Sequence, residues 1–254
     1  KWSVDGDRQV VGCPMDSPGL RFGFPSLGGR LEDPPSVHFE GVSFAYGPGL
    51  ADILHGLNFV VTADTRLAVL GVNGSGKSTF LRLLCEELEP CQGNIFRHRN
   101  PRVGYFAQHH VDTLPLDSSP VEHLLALYPG SKALEVRTHL GAVGLYGDLA
   151  LQKIRCLSGG QKARVAFSAM LWPKPHILLL DEPTNNLDYD TMDALVQAIN
   201  SFDGGVVLIS HDEHFVVSTC EKLYVLEEGT LQPLASFATY KEALADGLVD
   251  DPDF

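Results

Sequence analysis

Residues 71–79 read GVNGSGKST, and the segments on either side follow from this stretch. It matches the phosphate-loop pattern G-x-x-x-x-G-K-[ST], whose fixed positions are here Gly71, Gly76, Lys77 and Ser78. Glycines let backbone N–H groups wrap a diphosphate, because no side chain blocks the approach and φ is free to become positive. The stretch predicts a loop that binds the phosphates of a nucleotide. A glycine-rich turn without a ligand is the alternative.

The flanking segments have the composition of a strand and a helix. Residues 66–70 form a short apolar run of strand type, and residues 80–84 place apolar side chains at helical spacing. A helix that begins at such a loop aims its positive end at a bound anion. This context favours phosphate binding over an ordinary turn.

Each loop residue has a chemical reason to contact a nucleotide. Lys77 places a positive charge beside the outer phosphates, and the hydroxyl of Ser78 is a ligand for Mg²⁺. Lys77 is for the same reason a candidate catalytic residue. We expect the following residues to bind ATP: Gly71, Val72, Asn73, Gly74, Ser75, Gly76, Lys77, Ser78 and Thr79.

The composition is that of a globular protein. The chain has 254 residues, of which 44% are hydrophobic and 20% charged, which is enough for a buried core. No stretch reaches the roughly eighteen apolar residues of a membrane span, and no basic and apolar leader is present, so we expect no membrane insertion. Five cysteines without a C-x-x-C pair predict reduced thiols and a cytoplasmic location. Because the sequence begins at Lys1, we expect a piece of a longer protein.

The formal net charge of −13 argues against nucleic acid as a partner of the general surface. Non-specific affinity for nucleic acids comes from neutralising phosphates with Lys and Arg. We therefore expect no direct DNA binding. A ribosome contact is expected only through parts of the parent protein outside this chain.

Pattern changes divide the chain into three segments. Residues 1–35 are rich in Pro and Gly, which predicts an extended N-terminal segment or linker. Its apolar residues Leu20, Phe22 and Phe24 alternate, as in a loose strand along the domain surface. Residues 36–245 predict one α/β domain, and residues 246–254 an acidic, frayed tail.

Within the domain, apolar runs and helical spacings predict the order of the elements. A helical subdomain is expected at about 109–172, with one helix capped by Ser118 or Ser119. Further helices are expected after 157, around 192–202 and around 240–244. Strands are expected at 37–46, 57–61, 66–70, 93–97, 102–107, 176–181, 206–209 and 223–226.

The run HILLLD at 176–181 ends in an acid. A continuous apolar run is typical of a buried parallel strand, which delivers its last side chain to the carboxyl edge of the sheet. Asp181 is thereby placed to hold Mg²⁺ through water. Its alternative role is to cap a helix.

Four motifs in a fixed order resemble the nucleotide-binding domain of an ABC ATPase. They are the loop at 71–79, LSGGQ at 157–161, LLLDEP at 178–183 and Ser-His-Asp at 210–212. The resemblance covers roughly residues 36–245. It implies an α/β fold of the P-loop NTPase class, with an ABC-type core of mixed, mostly parallel sheet, an antiparallel β subdomain and a small helical subdomain.

Three longer segments resemble the F subfamily, which consists of soluble tandem-domain ABC proteins that act on ribosomes. These segments are LSGGQKARVAF, DEPTNNLD and ISHDEHF, and the match is best to the second domain of eukaryotic members. The resemblance implies ATP-driven closure against a second ABC domain, in the same parent chain or in a homodimer, and a role in translation or ribosome regulation. Asn186 departs from the pattern, since the subfamily usually has His there.

The resemblance also implies roles outside the loop. Glu182 is expected to polarise the attacking water as general base, and Gln108 to reach Mg²⁺ and that water. His211 is expected to donate to the γ-phosphate, although on spacing alone it reads as a surface histidine. Tyr46 is expected to stack on adenine, while a place beside Phe44 in the core of an edge strand is its alternative.

The LSGGQ motif at 157–161, called here the signature segment, implies an incomplete site. In the family its residues bind the γ-phosphate held by the opposing domain; here they are Ser158, Gly159, Gly160 and Gln161. Asp188 resembles the residue that couples the two sites. One chain then carries two half-sites, so we expect the isolated chain to bind ATP and Mg²⁺ but to be a weak ATPase.

Two other functions remain open. The motor domain of a membrane ABC transporter is the first, but the short gap between Lys77 and Ser158 leaves little room for a surface that couples to membrane domains. The second is a non-hydrolysing, ATP-gated scaffold such as a chromosome-associated head domain. Such a domain has a long coiled coil in this gap, and the sequence has no heptads of that length.

Overall fold

The computed structural model describes residues 22–27, 33–185 and 187–245. Asn186, Leu20 and the predicted tail at 246–254 lie outside these residues. The strands are β1 (Ser36–Phe44), β2 (Leu54–Thr62), β3 (Arg66–Leu70), β4 (Gln92–His98), β5 (Val103–Phe106), β6 (Ile177–Asp181), β7 (Gly205–Ile209), β8 (Lys222–Glu227) and β9 (Thr230–Leu234). The helices are α1 (Lys77–Leu84), α2 (Pro120–Leu127), α3 (Ala133–Ala142), α4 (Gly159–Leu171), α5 (Tyr189–Ser201), α6 (Glu213–Thr219) and α7 (Phe237–Ala245).

The strands form two sheets of different kinds. The larger sheet has the order β5-β6-β7-β3-β8-β9, in which only β9 runs antiparallel to its neighbour. The smaller sheet has the order β2-β1-β4 and is antiparallel throughout. With the helices between β5 and β6 as a separate small subdomain, this is the α/β architecture that the sequence resemblance implied.

The helical subdomain begins with a well-formed cap. Ser119 Oγ accepts a hydrogen bond from the Glu122 amide at 3.2 Å, and the Glu122 carboxylate accepts one from the Ser119 amide at 2.7 Å. This capping box satisfies two donors that a helix start otherwise leaves without partners. The prediction of a cap at Ser118 or Ser119 is confirmed at the second of these residues.

Two hydrophobic clusters cover the two faces of the larger sheet. Along β3, Leu67 and Val69 enter one cluster, while Ala68 and Leu70 enter the other. Strands β6 and β7 alternate in the same way, which explains why their sequences are continuously apolar. The polar groups that such strands carry are therefore confined to their ends.

Residues 22–27 differ from the expectation of a loose surface strand. They form neither strand nor helix, and the side chain of Phe22 is 6% exposed within the main hydrophobic cluster. Alternation of aromatic residues was the wrong guide here, because the rings pack against helices rather than along a sheet. No helix among the described residues is long and apolar enough to cross a bilayer.

Candidate functional site

The carboxyl ends of three parallel strands bring the predicted site together. Strand β3 leads into the phosphate loop, β6 ends at Asp181, and β7 is followed by Ser210 and His211. Asp181 and Ile209 are paired at the end of the β6–β7 ladder. Because parallel neighbours end at one edge of a sheet, residues more than a hundred positions apart surround one space.

That space is a cavity of about 600 Å³. Its lining includes most of the residues predicted from sequence: Tyr46, Asn73, Gly74, Gly76, Lys77, Ser78, Thr79, Gln108, Asp181, Glu182 and His211. Gly71, Val72 and Ser75 line a neighbouring cavity on the other side of the loop. Ile53, Asn185 and Ile209 complete the lining and were not singled out from the sequence.

The glycines of the loop adopt backbone conformations that other residues avoid. Gly71 has φ 145° and Gly76 has φ 103°. A Cβ added to Gly71 would lie 2.6 Å from the Leu226 carbonyl oxygen, and one added to Gly76 would lie 2.8 Å from Cγ2 of Ile53. The loop therefore requires glycine at these two positions for both conformation and space.

Lys77 lies across the loop and is 8% exposed. Its Nζ donates to the carbonyl oxygen of Val72 at 2.9 Å and to that of Gly71. These acceptors are neutral, so they orient the ammonium group without cancelling its charge. The loop that offers backbone N–H groups thus also holds a cation beside them.

Asp181 is 3% exposed, and burial raises the pKa of its carboxyl group. Hydrogen bonds from Ser78 and Tyr105 oppose that rise, as does the charge of Lys77. Tyr105 Oη donates to Asp181 Oδ2 at 3.3 Å, and burial raises the pKa of this phenol. Hydroxyl, carboxylate and amide oxygens from Ser78, Asp181 and Gln108 are the hard donors that Mg²⁺ prefers, so the residues fit this ion.

Glu182 and His211 are in contact at the cavity wall. The distance from His211 Nε2 to Glu182 Oε1 is 3.4 Å, and their side chains are 22% and 12% exposed. The Glu182 amide donates to the Ile209 carbonyl at 2.9 Å, while its φ of 49° turns the chain out of the sheet. The two predicted catalytic side chains are thereby brought together.

Tyr46 follows β1 and is 53% exposed, whereas Phe44 is buried at 5%. The two rings meet edge to face at 5.0 Å between centroids, and Tyr46 Oη lies 3.0 Å from Thr79 Oγ1. Tyr46 is therefore no core residue, and the core alternative fails for it. Its open ring stands at the mouth of the cavity.

The signature segment lies outside this cavity lining, at the start of α4. Ser158 Oγ accepts from the Gln161 amide at 3.3 Å, and Gln161 Oε1 accepts from the Ser158 amide at 2.9 Å. Ser158 and Gly159 are exposed, whereas Gly160 is buried. The described residues of one chain thus do not bring the signature segment to the phosphate loop.

Asp188 belongs to the same surface as the signature segment. It caps α5 by accepting the Thr191 amide at 2.8 Å, and hydrogen bonds from the side chain and the backbone of Thr191 lower the pKa of Asp188. A Cβ on Gly160 would lie 3.1 Å from Thr191 Oγ1, so α4 and α5 are in close contact here. Arg164, 9% exposed, donates to Thr191 Oγ1 at 3.3 Å and was missed by sequence reasoning, although an arginine within an apolar helix face is a signal.

A phosphate loop after β3, an acidic pair after β6, a histidine after β7 and a capped helical subdomain define an ABC-type nucleotide-binding domain. The sequence profile of the ABC transporter family matches residues 54–185, and the chain belongs to this family.

Curated relatives place the chain beside F-family members. ABC transporter F family member 3 of Arabidopsis thaliana is 43% identical over 91% of this chain and 32% of its own length. ATP-binding cassette sub-family F member 3 of Mus musculus is 44% identical over 84% of this chain and 30% of its own length. The F-subfamily resemblance is confirmed, and the chain spans about a third of the length of these relatives.

Solved structures agree on the fold. A bacterial ABC exporter with ATP bound has a TM-score of 0.69 at 25% identity, over 91% of this chain and 45% of the exporter. A bacterial ABC transporter cassette solved as a dimer has a TM-score of 0.67 at 24% identity, over 79% of this chain and 100% of the cassette. The predicted ABC-type core is therefore confirmed.

Proposed function

We propose that this chain binds ATP with Mg²⁺ and hydrolyses ATP to ADP and phosphate when a second ABC domain closes on it. One observation carries the proposal: the phosphate loop, Asp181, Glu182 and His211 surround one cavity of about 600 Å³. The volume of this cavity and its polar lining suit a nucleoside triphosphate. The roles of the individual residues are part of the proposal.

In the proposed reaction the protein acts by placement and by charge. The backbone N–H groups of the loop and Lys77 hold the phosphates, because an ammonium group and oriented amides stabilise negative oxygens. Glu182 polarises the attacking water, and its contact with His211 fixes the carboxylate while His211 donates to the γ-phosphate. Ser78, Gln108 and Asp181 would hold Mg²⁺, which would supply positive charge beside the phosphate oxygens. Tyr46 stacks on adenine.

The second domain supplies the missing half of the site. The signature segment is exposed at a helix start, where backbone N–H groups favour an anion. In the proposal its residues, together with Asp188, contact the γ-phosphate held by the opposing domain. A similar cassette has been solved as a dimer, which supports this arrangement.

We infer the biological setting from the resemblance to the F subfamily. We place the parent protein in the cytoplasm, in translation or ribosome regulation, with residues 36–245 as one ABC domain and residues 1–35 as an N-terminal segment or linker, of which residues 22–27 pack against the domain. Contact with the ribosome would come through other parts of the parent. Ribosome co-sedimentation of the parent tests this setting, and recovery with membranes instead would support the transporter alternative.

Turnover measured against protein concentration tests the enzymatic proposal. The rate per molecule should be low when dilute and should rise with concentration as domains pair. The Glu182→Gln variant should bind ATP, lose turnover and accumulate as a closed dimer. Glu213→Gln is a matched control, because Glu213 is exposed and pairs with Lys241 away from the cavity. A brisk rate independent of concentration from a proven monomer, or unchanged turnover in Glu182→Gln, would overturn the proposal.

A further inference from the structure

Residues 22–27, called here the strap, tie together three helices of the domain. At α3, the Gly23 amide donates to the Ala142 carbonyl at 2.7 Å. At α4, the Phe22 ring meets the Phe167 ring edge to face, with centroids 5.7 Å apart. At the end of α5, Ser26 Oγ donates to Asp203 Oδ2 at 2.9 Å.

The aromatic rings of the strap are the stronger part of this connection. Phe24 lies edge to face with Phe202 at 5.9 Å and also contacts Phe167 at 6.5 Å. Phe167 is fully buried, with 0% exposure. It is therefore enclosed by strap rings on one side, and its place depends on them because interiors are close-packed.

On its other side Phe167 reaches the candidate ATP site. Its ring stacks on Phe106 with 4.1 Å between centroids and 11° between planes. Phe106 is the last residue of β5, and Gln108 follows in the turn at 107–110. His110 packs edge-on against Phe106 at 5.8 Å and accepts a hydrogen bond from the Ala107 amide at 3.2 Å, so the turn is anchored to that ring.

We propose that Phe22, Phe24 and Phe167 are positioning residues that set the place of Gln108 through Phe106. Phe167 also belongs to α4, whose N-cap and first turn lie within the signature segment. The strap therefore connects the turn at 107–110 with helix α4. A displacement of the strap should move both. Only the expected effect of the strap on ATP binding rests on the proposed function of Gln108. The structural connection does not depend on it.

Amide hydrogen exchange on the whole chain tests the mechanical part. Phe24→Ala should speed exchange several-fold at residues 107–110 and 158–161 while leaving α1 unchanged, because only the first two depend on the strap. Phe24→Leu keeps most of the volume and should give the same pattern more weakly. Phe96→Ala removes a half-exposed ring on β4 and is the matched control. Unchanged exchange at 107–110, or equal acceleration everywhere, would overturn the proposal.

Nucleotide affinity tests the functional part. In Phe24→Ala, the ATP affinity without Mg²⁺ should equal that of the unaltered chain. The increase in ATP affinity on adding Mg²⁺ should be several-fold smaller. Combined with Gln108→Ala, the Phe24 change should add nothing further, because both act through one side chain. Additive losses would contradict the route through Gln108. If the unaltered chain binds no ATP, the proposed function is wrong. Hydrogen exchange would still test whether the strap positions residues 107–110.

Discussion

The phosphate loop and the signature segment are two helix starts that treat their backbone N–H groups in opposite ways. Helix α1 begins after Gly76, which has left-handed φ and provides no side-chain cap. Helix α4 begins after Ser158, and Ser158 and Gln161 close a complete capping box. At the first start, no side chain caps the backbone N–H groups, which suits an anion bound at the phosphate loop of the same chain. The second is capped by its own side chains, and under the proposed function it would exchange this cap for an anion held by another domain.

The largest test of this comparison replaces one lysine in each region. Lys77→Met should weaken ATP binding about 100-fold, because a charge-assisted contact contributes about 2–3 kcal/mol. Lys162→Met, in the first turn of α4, should leave the ATP affinity of the dilute chain unchanged. Isothermal titration measures both. Equal losses would mean that the two helix starts already act on one nucleotide within a single chain.

Glycine substitutions sharpen the comparison through backbone strain. Gly76→Ala forces a left-handed φ on alanine and places its Cβ 2.8 Å from Ile53 Cγ2, so it should destabilise the fold by roughly 1–3 kcal/mol and abolish nucleotide binding. Gly160→Ala brings its Cβ 3.1 Å from Thr191 Oγ1 and should cost less. Urea unfolding provides the free energies. A reversed order would show that the α4–α5 contact is the more rigid one.

The capping boxes allow a test in which stability is matched. Ser158→Ala and Ser119→Ala remove equivalent caps, and each should lower the free energy of unfolding by about 1 kcal/mol. Only Ser158→Ala should also weaken ATP-dependent dimerisation of the Glu182→Gln chain. Analytical ultracentrifugation with ATP measures this difference. A loss of dimer in both variants would reduce the effect to stability.

The smallest expected effect is on the pH dependence of the free energy of unfolding, through the contact between α3 and α4. His139 Nε2 lies 2.7 Å from the Ser168 carbonyl oxygen, and burial lowers the pKa of His139. The unfolded state then binds the proton more readily, so stability is complete above the ordinary histidine pKa and is lost as pH falls through the lowered one. His139→Gln should flatten this part of the profile of unfolding free energy against pH, because glutamine does not titrate.

Most of the fold was readable from sequence where chemistry leaves few choices. The apolar strands β3, β6 and β7 and the loop after β3 were located within a residue or two, because buried parallel strands are continuously apolar. Helix α6 and strand β9 were missed. Helix α6 has only seven residues and begins directly after the Ser-His-Asp motif, whose Asp212 is its N-cap, while β9 carries Pro233.

The missed site residues depend on distant partners. Tyr105 contacts Asp181 across 76 positions, and Arg164 contacts Thr191 across 27. No local period encodes such pairs, because the fold alone makes them neighbours. Phe22 shows the same limit: its alternation with Phe24 indicated a strand, whereas helix packing determines its burial.

At Glu182, thermal stability and the proposed ATP turnover require different residues, because the backbone there is left-handed. With φ 49°, a residue other than glycine or asparagine carries about 1–2 kcal/mol of strain. A laboratory selection for thermal tolerance alone will therefore favour Glu182→Gly or Glu182→Asn. Either replacement relaxes the backbone and removes the carboxylate, so under the proposed role of Glu182 the most heat-tolerant variants would lose ATP turnover.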